Sequence, residues 1–418
     1  MTDGRPHRWR AGGAWALTAA VVTLGSGLLR TVAVARFLDP ADVGVMAVAL
    51  LALGATEALA TTGVDTALIA QRKQIDPYLD PAFTVQAVRG VIVTAVLWML
   101  APWVGWVFGS DRAVDVIRAV GIVPAIRGLA NPALAVAVRR LDFRRVFWWS
   151  LPETVSSLGL AVGLAYLWRD VWALVVATLA GQIVGTVASY GVVRRAPRLV
   201  LARARIAELL RTGRFVSGSR ALMYFSANLD GAAVGVLLGT PALGLYQFAT
   251  RIAELPVVTF ARAAGQVALP ALSAASISEA ERSATWRTLL RAVITVHAIA
   301  AALFLTLGEF GVRTVAGERW MGAVPLLRVL ALAMLFRGVI VLTGQFLDAV
   351  GRPDRTLLLN AARLGLLIVL LPAGHSRAGA QGIAVAVLVA SAAASLIGLR
   401  FAAWSLRDHR PTSTFGAG

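Results

Sequence analysis

The sequence predicts an all-α integral membrane protein of about twelve transmembrane helices, in two parallel, pseudo-repeated six-helix bundles around a central cavity. Three observations lead there. The 418 residues are 58% hydrophobic and only 15% charged, with a mean hydropathy of +0.74, more apolar side chain than a soluble core needs. The apolar residues gather into twelve stretches, each close to the roughly 20 residues that one bilayer crossing requires. Basic residues crowd into every second gap between those stretches, the charge asymmetry that orients membrane proteins.

In chain order the expected spans are 12–36, 43–69, 83–108, 113–138, 147–168 and 171–193, then 215–238, 242–268, 285–308, 323–346, 356–372 and 378–402. Arg5, Arg8 and Arg10 precede the first span as in a secretory signal. The apolar run is too long for an h-region and contains Arg30, so an uncleaved span is expected. Of the 40 Lys and Arg residues, 21 lie in gaps on the amino-terminal side and 5 in the opposite gaps. Both termini are therefore expected in the cytoplasm. Trp103, Trp106, Trp148, Trp149, Trp168 and Trp172 fall near expected span ends, where amphipathic rings prefer to sit. The longest connector divides the chain into a bundle at 1–200, a basic cytoplasmic linker at 201–214 and a second bundle at 215–418.

The net charge of +18 comes with no separate basic domain, because the largest basic block, Arg194 to Arg214, joins two spans. Topology and contact with anionic headgroups account for it, and no nucleic-acid partner is expected. The chain has no cysteine, which excludes disulfides, thiolate metal sites and thiol catalysis.

At an offset of 200 residues, Ala33, Val34, Leu38, Gly44 and Ala49 match Ala233, Val234, Leu238, Gly244 and Ala249. Both stretches read as a span, a tight turn at Asp39-Pro40 or Thr240-Pro241, and another span. Two parallel bundles related by an axis along the membrane normal follow, with a site between them.

Several stretches then carry a family resemblance. In the first half they are Ala35 to Gly44 (ARFLDPADVG), Ala67 to Lys73 (ALIAQRK) and Arg139 to Arg145 (RRLDFRR). In the second they are Asn228-Leu229-Asp230, Leu238-Gly239 through Gly244-Leu245-Tyr246, Leu269 to Ser273 (LPALS), Gly317 to Trp320 (GERW) and Gly351-Arg352-Pro353. In order and spacing the chain resembles the bacterial lipopolysaccharide and oligosaccharide flippases of the polysaccharide transporter family, within the multidrug/oligosaccharidyl-lipid/polysaccharide exporter superfamily. The resemblance implies a non-enzymatic carrier of the bacterial cytoplasmic membrane. It would move a polyprenyl-pyrophosphate-linked oligosaccharide from the cytoplasmic to the outer leaflet by alternating access, in cell-surface polysaccharide biosynthesis (lipopolysaccharide, O-antigen or exopolysaccharide). Its partners would be that cargo, membrane lipids, and a polysaccharide polymerase with glycosyltransferases.

A pyrophosphate and a sugar chain need a polar, cationic path through hydrocarbon, so intramembrane arginine is the expected signature. Arg89, Arg118, Arg220, Arg262, Arg291, Arg328 and Arg400 lie near enough to span ends to snorkel. Arg30, Arg127, Arg251, Arg337 and Arg363 sit deeper, where a charge costs at least about 2.5–3.5 kcal/mol, and they are expected to face a cavity or a partner. Thr23, Ser26 and Arg30 share one helical sector, which turns Arg30 toward the lumen. Arg220 lies in helical angle between Asn228 and Asp230, offering a cation, an amide and a carboxylate, with an interhelical hydrogen bond as the alternative. Glu254 stands one turn from Arg251, either as its counter-ion or as part of a site.

Asp230, then Glu57 and Glu254, are the candidates for H⁺ or Na⁺ coupling, since a desolvated carboxylate can exchange either ion. Glu57, Thr61 and Asp65 form an acidic stripe, with Asp65 near the hydrated end. Glu153, after Pro152, is expected to serve the positive end of a helix. His297 is expected to be polar packing, and Gly231, Gly235 and Gly239 a close helix crossing. No cofactor or metal is expected. A multidrug exporter of the same superfamily is the alternative, opposed by five deep arginines. A membrane glycosyltransferase, polymerase or ligase would need an acidic cluster in an outward loop, and the longest outward gap, about 309–322, holds Glu309 and Glu318 but no such cluster.

Overall fold

The computed structural model describes residues 18, 22, 25–70, 75–139, 142–192, 196–261 and 279–407. Those residues are helical, turn or irregular, with no strand among them. The helices are α1 (25–37), α2 (Pro40–Leu59), α3 (Val64–Ala70), α4 (Asp76–Val107), α5 (Asp111–Val120), α6 (Val123–Gly128), α7 (Leu134–Arg139), α8 (Phe143–Trp168) and α9 (Trp172–Val192). They continue with α10 (Arg203–Ala253), a π-turn at Val257–Ala261, α11 (Glu279–Val315), α12 (Ala323–Ala349) and α13 (Pro353–Arg407). Seven helical stretches in the described residues are long and apolar enough to cross a membrane. The protein is an all-helical, multi-pass membrane protein.

Two compact units form, Met1–Tyr224 with Gly239–Gly244, and Phe225–Leu238 with Leu245–Gly418. In the first, α4 packs on α5 and α6, α2 on α5, and α8 on α9. The α8–α9 pair meets through small residues, with Ala161, Ala165, Ala173 and Ala177 fully buried, which lets the two helices approach closely. Asp142 caps α8 by accepting from the Arg145 backbone N–H at 3.3 Å. Arg169 ends that helix in the left-handed conformation, with φ 50°. Arg112, at the start of α5, ties the turns together through Asp42 of α2 at 2.8 Å and Asp170 of the α8–α9 turn.

Two expectations for this unit need revision. Span 43–69 is broken between α2 and α3, where Gly63 takes φ 65°, a conformation that favours glycine. Span 113–138 is three short helices, broken after Val120 and again around Asn131-Pro132. Pro124 can start α6 but could not continue a helix, and Pro132 brings no N–H to a helical ladder. Residues 196–202 form neither helix nor strand, with the Val200 N–H donating to Thr84 Oγ1 at 2.8 Å, and α10 begins at Arg203. Its first turns dock through Leu209 onto Val64, Ala67, Leu68, Tyr78 and Ala82, while Tyr78 donates to Glu208 at 2.7 Å.

Helix α10 is interrupted at Gly239, with φ 82° and ψ 178°, just before Pro241, where one expected span ends and the next begins. In the second unit α11 packs on α12 and α12 on α13. Helix α13 is interrupted at Ala378 and Gly379, and there the chain folds back. A Cβ on Gly374 would strike the Gly382 carbonyl, and one on Gly382 the Gly374 carbonyl. Trp320 is fully buried, with its ring 4.6 Å from that of Phe248. His297 packs against Gly338, where a Cβ would come within 2.7 Å of its Nε2, and its Nδ1 lies 2.7 Å from the Val293 carbonyl. The outward gap expected at 309–322 is shortened by α11, and Arg313 pairs there with Glu309 and Glu318. Thr23, Arg262 and Leu269 to Ser273 lie outside the described residues.

Candidate functional site

In the first unit the breaks in the second and fourth expected spans face a cavity of about 460 Å³. Irregular backbone at membrane depth is tolerated where it is buried in protein or lines such a space, and side chains of α9 and α4 satisfy the groups that the breaks release. Ser189 Oγ accepts from the Asn131 N–H at 3.0 Å. Tyr190 donates to the Leu129 carbonyl at 2.7 Å and Thr186 to that of Ile126 at 3.3 Å. Arg89 Nε donates to the Ala60 carbonyl at 2.9 Å.

A chain of polar side chains crosses the cavity wall. Arg127, from the last turn of α6, holds Glu57 at 3.4 Å and donates through Nε to Gln182 at 3.2 Å. Gln182 passes its own amide hydrogen to Glu153 at 2.5 Å. Gly185 makes room for that carboxylate, since a Cβ there would come within 2.7 Å of Glu153 Oε2. Nearer the α3 end, Gln86 donates to Asp65 at 2.5 Å. Trp149 also lines the cavity, its indole N–H fixed on the Gly185 carbonyl at 3.0 Å. One helical turn from Glu153 and Gln182, Arg30 reaches Ser157 at 3.3 Å and Thr178 at 3.2 Å. Arg30 thus makes these bonds to α8 and α9, inside its own unit. Arg220, also in this unit, is exposed and donates to Thr66 at 3.3 Å.

A second polar group lies in the second unit. Asp230 is 5% exposed and accepts from the Tyr246 hydroxyl at 2.6 Å. Arg363, 4% exposed, gives Nη1 to the Ser226 carbonyl and hydroxyl. Its Nε and Nη2 are buried without a hydrogen-bond partner among the described residues. Glu254 makes its ion-pair contact with Arg337 of α12 at 3.6 Å, not with Arg251 one turn away. Arg251 is exposed on α10, and Asn228 is half-buried.

The sequence-chosen residues therefore divide into two groups. Glu57 and Arg127 meet in the first unit, with Arg30 one turn beyond the Gln182–Glu153 pair. Asp230, Glu254, Arg337 and Arg363 belong to the second. Arg220, Asn228 and Asp230 all lie on the stretch of α10 before its break at Gly239. Glu153 is a cavity residue and not merely a helix-end charge. Trp149 turns inward, whereas Trp148 stays exposed with Trp103 and Trp106. The residues missed are Gln86, Gln182, Tyr246 and Ser226; an amide in mid-span, as at Gln182, was the readable signal.

The family described as polysaccharide biosynthesis protein matches residues 33–325. Among curated proteins, the lipopolysaccharide biosynthesis protein WzxC of Escherichia coli is 22% identical over 91% of this chain and 77% of its own length. The succinoglycan biosynthesis transport protein ExoT of Rhizobium meliloti is 24% identical over 76% of this chain and 65% of its own. Among solved structures, the lipid II flippase MurJ in an inward closed conformation has the same fold. It aligns with a TM-score of 0.77 at 12% identity, over 95% of this chain and 87% of that one. With the family matched over most of its length, the chain belongs to the polysaccharide biosynthesis protein family.

Proposed function

We propose that this protein is a transporter that moves a lipid-linked oligosaccharide across the bacterial cytoplasmic membrane, from the cytoplasmic to the outer leaflet, by alternating access. The observation that carries this reading is the polar cavity of the first unit. Charged and amide side chains converge on a space inside an otherwise apolar bundle, in a chain of the polysaccharide biosynthesis family. A lipid tail can stay in the bilayer while its polar head needs such a lining. The sequence matches to a polysaccharide transport protein and the fold shared with a lipid II flippase support the same cargo class.

In this proposal twelve spans form two repeated six-helix bundles, 1–200 and 215–418 joined by the basic segment 201–214, with both termini cytoplasmic and a cavity between the bundles. Arg30, Arg127, Arg220, Asn228, Arg251, Arg337 and Arg363 contribute to binding. Asp230, Glu57 and Glu254 remain the candidates for H⁺ or Na⁺ coupling. Arg127 and Arg337 are already paired with carboxylates, so a uniformly cationic lining no longer argues against other cargo. The family match and the polar cavity support the reading instead.

Vesicles holding only this protein and a fluorescent polyprenyl-pyrophosphate oligosaccharide test it. Transfer of label between leaflets is the expected result. Sugar elongation without transfer, or no transfer, overturns the proposal.

A further inference from the structure

We infer that the cavity of the first unit is a glycan subsite, which takes sugar rings of the cargo and leaves the pyrophosphate outside it. This rests on the transport reading above and adds where the sugar is read. Three features of the cavity point to a neutral polyhydroxylated ligand. The first is its donor set: a pyranose presents neighbouring hydroxyls that both donate and accept. Planar carboxylate, amide and guanidinium groups match such pairs two atoms at a time. Here Arg127, Gln182 and Glu153 stand in one connected row, with Gln86 and Asp65 as a second pair.

The second feature is Trp149. Its indole is pinned by the bond to the Gly185 carbonyl at 3.0 Å, and an ordered aromatic surface packs against the C–H face of a sugar at little entropic cost. Its neighbour Trp148 stays exposed, so inward placement is specific to residue 149.

The third feature is charge. The lining carries Glu57, Asp65 and Glu153 against Arg89 and Arg127, one more carboxylate than guanidinium. Arg127 is held by Glu57 and Gln182, and Arg89 by the Ala60 carbonyl. A diphosphate would meet excess negative charge there. A bare cation is not favoured either, because each carboxylate has its own partner, Arg127, Gln86 or Gln182. Among the described residues no three acidic or histidine groups come together to hold a metal ion. The volume of about 460 Å³ is within the range of pockets that enclose small molecules.

The chain has no cysteine, so Thr186→Cys, on the cavity wall, supplies a unique thiol whose alkylation reports occupancy. The purified full chain carrying this substitution is labelled with a maleimide in three conditions. One contains the oligosaccharide released by mild acid from the polyprenyl carrier of the producing cells, one inorganic pyrophosphate and one Na⁺. The expected result is slowing by the glycan alone, about tenfold at roughly ten times its Kd, and loss of that protection when Gln182→Ala is added. As a fold control, the Gln182→Ala protein must elute and melt as the parent does; Gln86→Ala serves in its place if it does not. Protection by pyrophosphate or Na⁺, or none by the glycan, overturns the subsite. Leaflet transfer by wild-type protein, measured in parallel, separates this outcome from failure of the transport reading. Transfer without glycan protection removes the subsite alone, and protection without transfer removes the transport role.

Discussion

Gly44 and Gly244 each lack room for a side chain because of the other's turn. A Cβ on Gly44 would fall on the Thr240 carbonyl, and one on Gly244 on the Pro40 carbonyl and near the Gly44 nitrogen. The four residues form two pairs 200 positions apart, Pro40 with Thr240 and Gly44 with Gly244. Such a reciprocal contact is what two copies of one turn, facing each other about a local two-fold, would make. It gives the glycine of ARFLDPADVG a steric reason.

Backbone atoms cannot step aside as a flexible side chain can. Gly44→Ala and Gly244→Ala should each destabilise the protein by about 1–3 kcal/mol, as overpacking does. Gly159→Ala, where a Cβ meets nothing within 4 Å, should be neutral or stabilising by up to about 1 kcal/mol. Thermal unfolding in one detergent compares the three; equal losses at Gly44 and Gly159 would contradict the contact.

The Arg337–Glu254 pair, 3.6 Å apart with both side chains mostly covered, should behave as a unit. Removing one charge strands the other in a poorly hydrated place. Arg337→Gln and Glu254→Gln should each cost more stability than the double substitution adds. The coupling energy should be about 1–3 kcal/mol in a double-mutant cycle, and additive losses would show that the two charges act separately.

Tyr246→Phe removes the hydroxyl that Asp230 accepts from at 2.6 Å, at a site only 5% exposed. An unsatisfied buried acceptor costs about 1–3 kcal/mol, and more when charged. Adding Asp230→Asn to Tyr246→Phe should recover part of that loss in denaturation experiments. If Asp230 couples an ion to transport, Asp230→Asn alone should also abolish the response of leaflet transfer to an imposed H⁺ or Na⁺ gradient.

Gly185→Ala should displace Glu153 without unfolding the bundle, because the clash is with a movable carboxylate. The Gln182–Glu153 bond should break and transfer of the oligosaccharide lipid should fall several-fold, while the melting temperature changes little. Leaflet-transfer rates normalised to folded protein check this, and an unchanged rate would remove Glu153 from the working site.

The membrane class and the turns at Gly239 and near Ala378 were legible in the sequence. Each depends on local pattern, such as a hydrophobic run or a Gly–Pro break. The interruptions after Leu59 and around Asn131-Pro132 carry local signals of their own, Thr61-Thr62-Gly63 and Asn-Pro, which the length of the apolar runs on either side outweighed. The breaks are sustained by distant groups such as Ser189, Tyr190 and Arg89. Helical phase singled out Arg30, while its bonds to Ser157 and Thr178 are contacts between helices that phase within one helix does not describe.

By itself, then, the sequence determined that this is a multi-pass helical membrane protein, since the cost of placing charge and open backbone in hydrocarbon acts residue by residue. Tertiary structure alone decided which arginines are neutralised, that Trp149 and Glu153 share a cavity with Arg127, and that Asp230 belongs with Tyr246. Those pairings join residues on different helices, and helical periodicity describes one helix at a time.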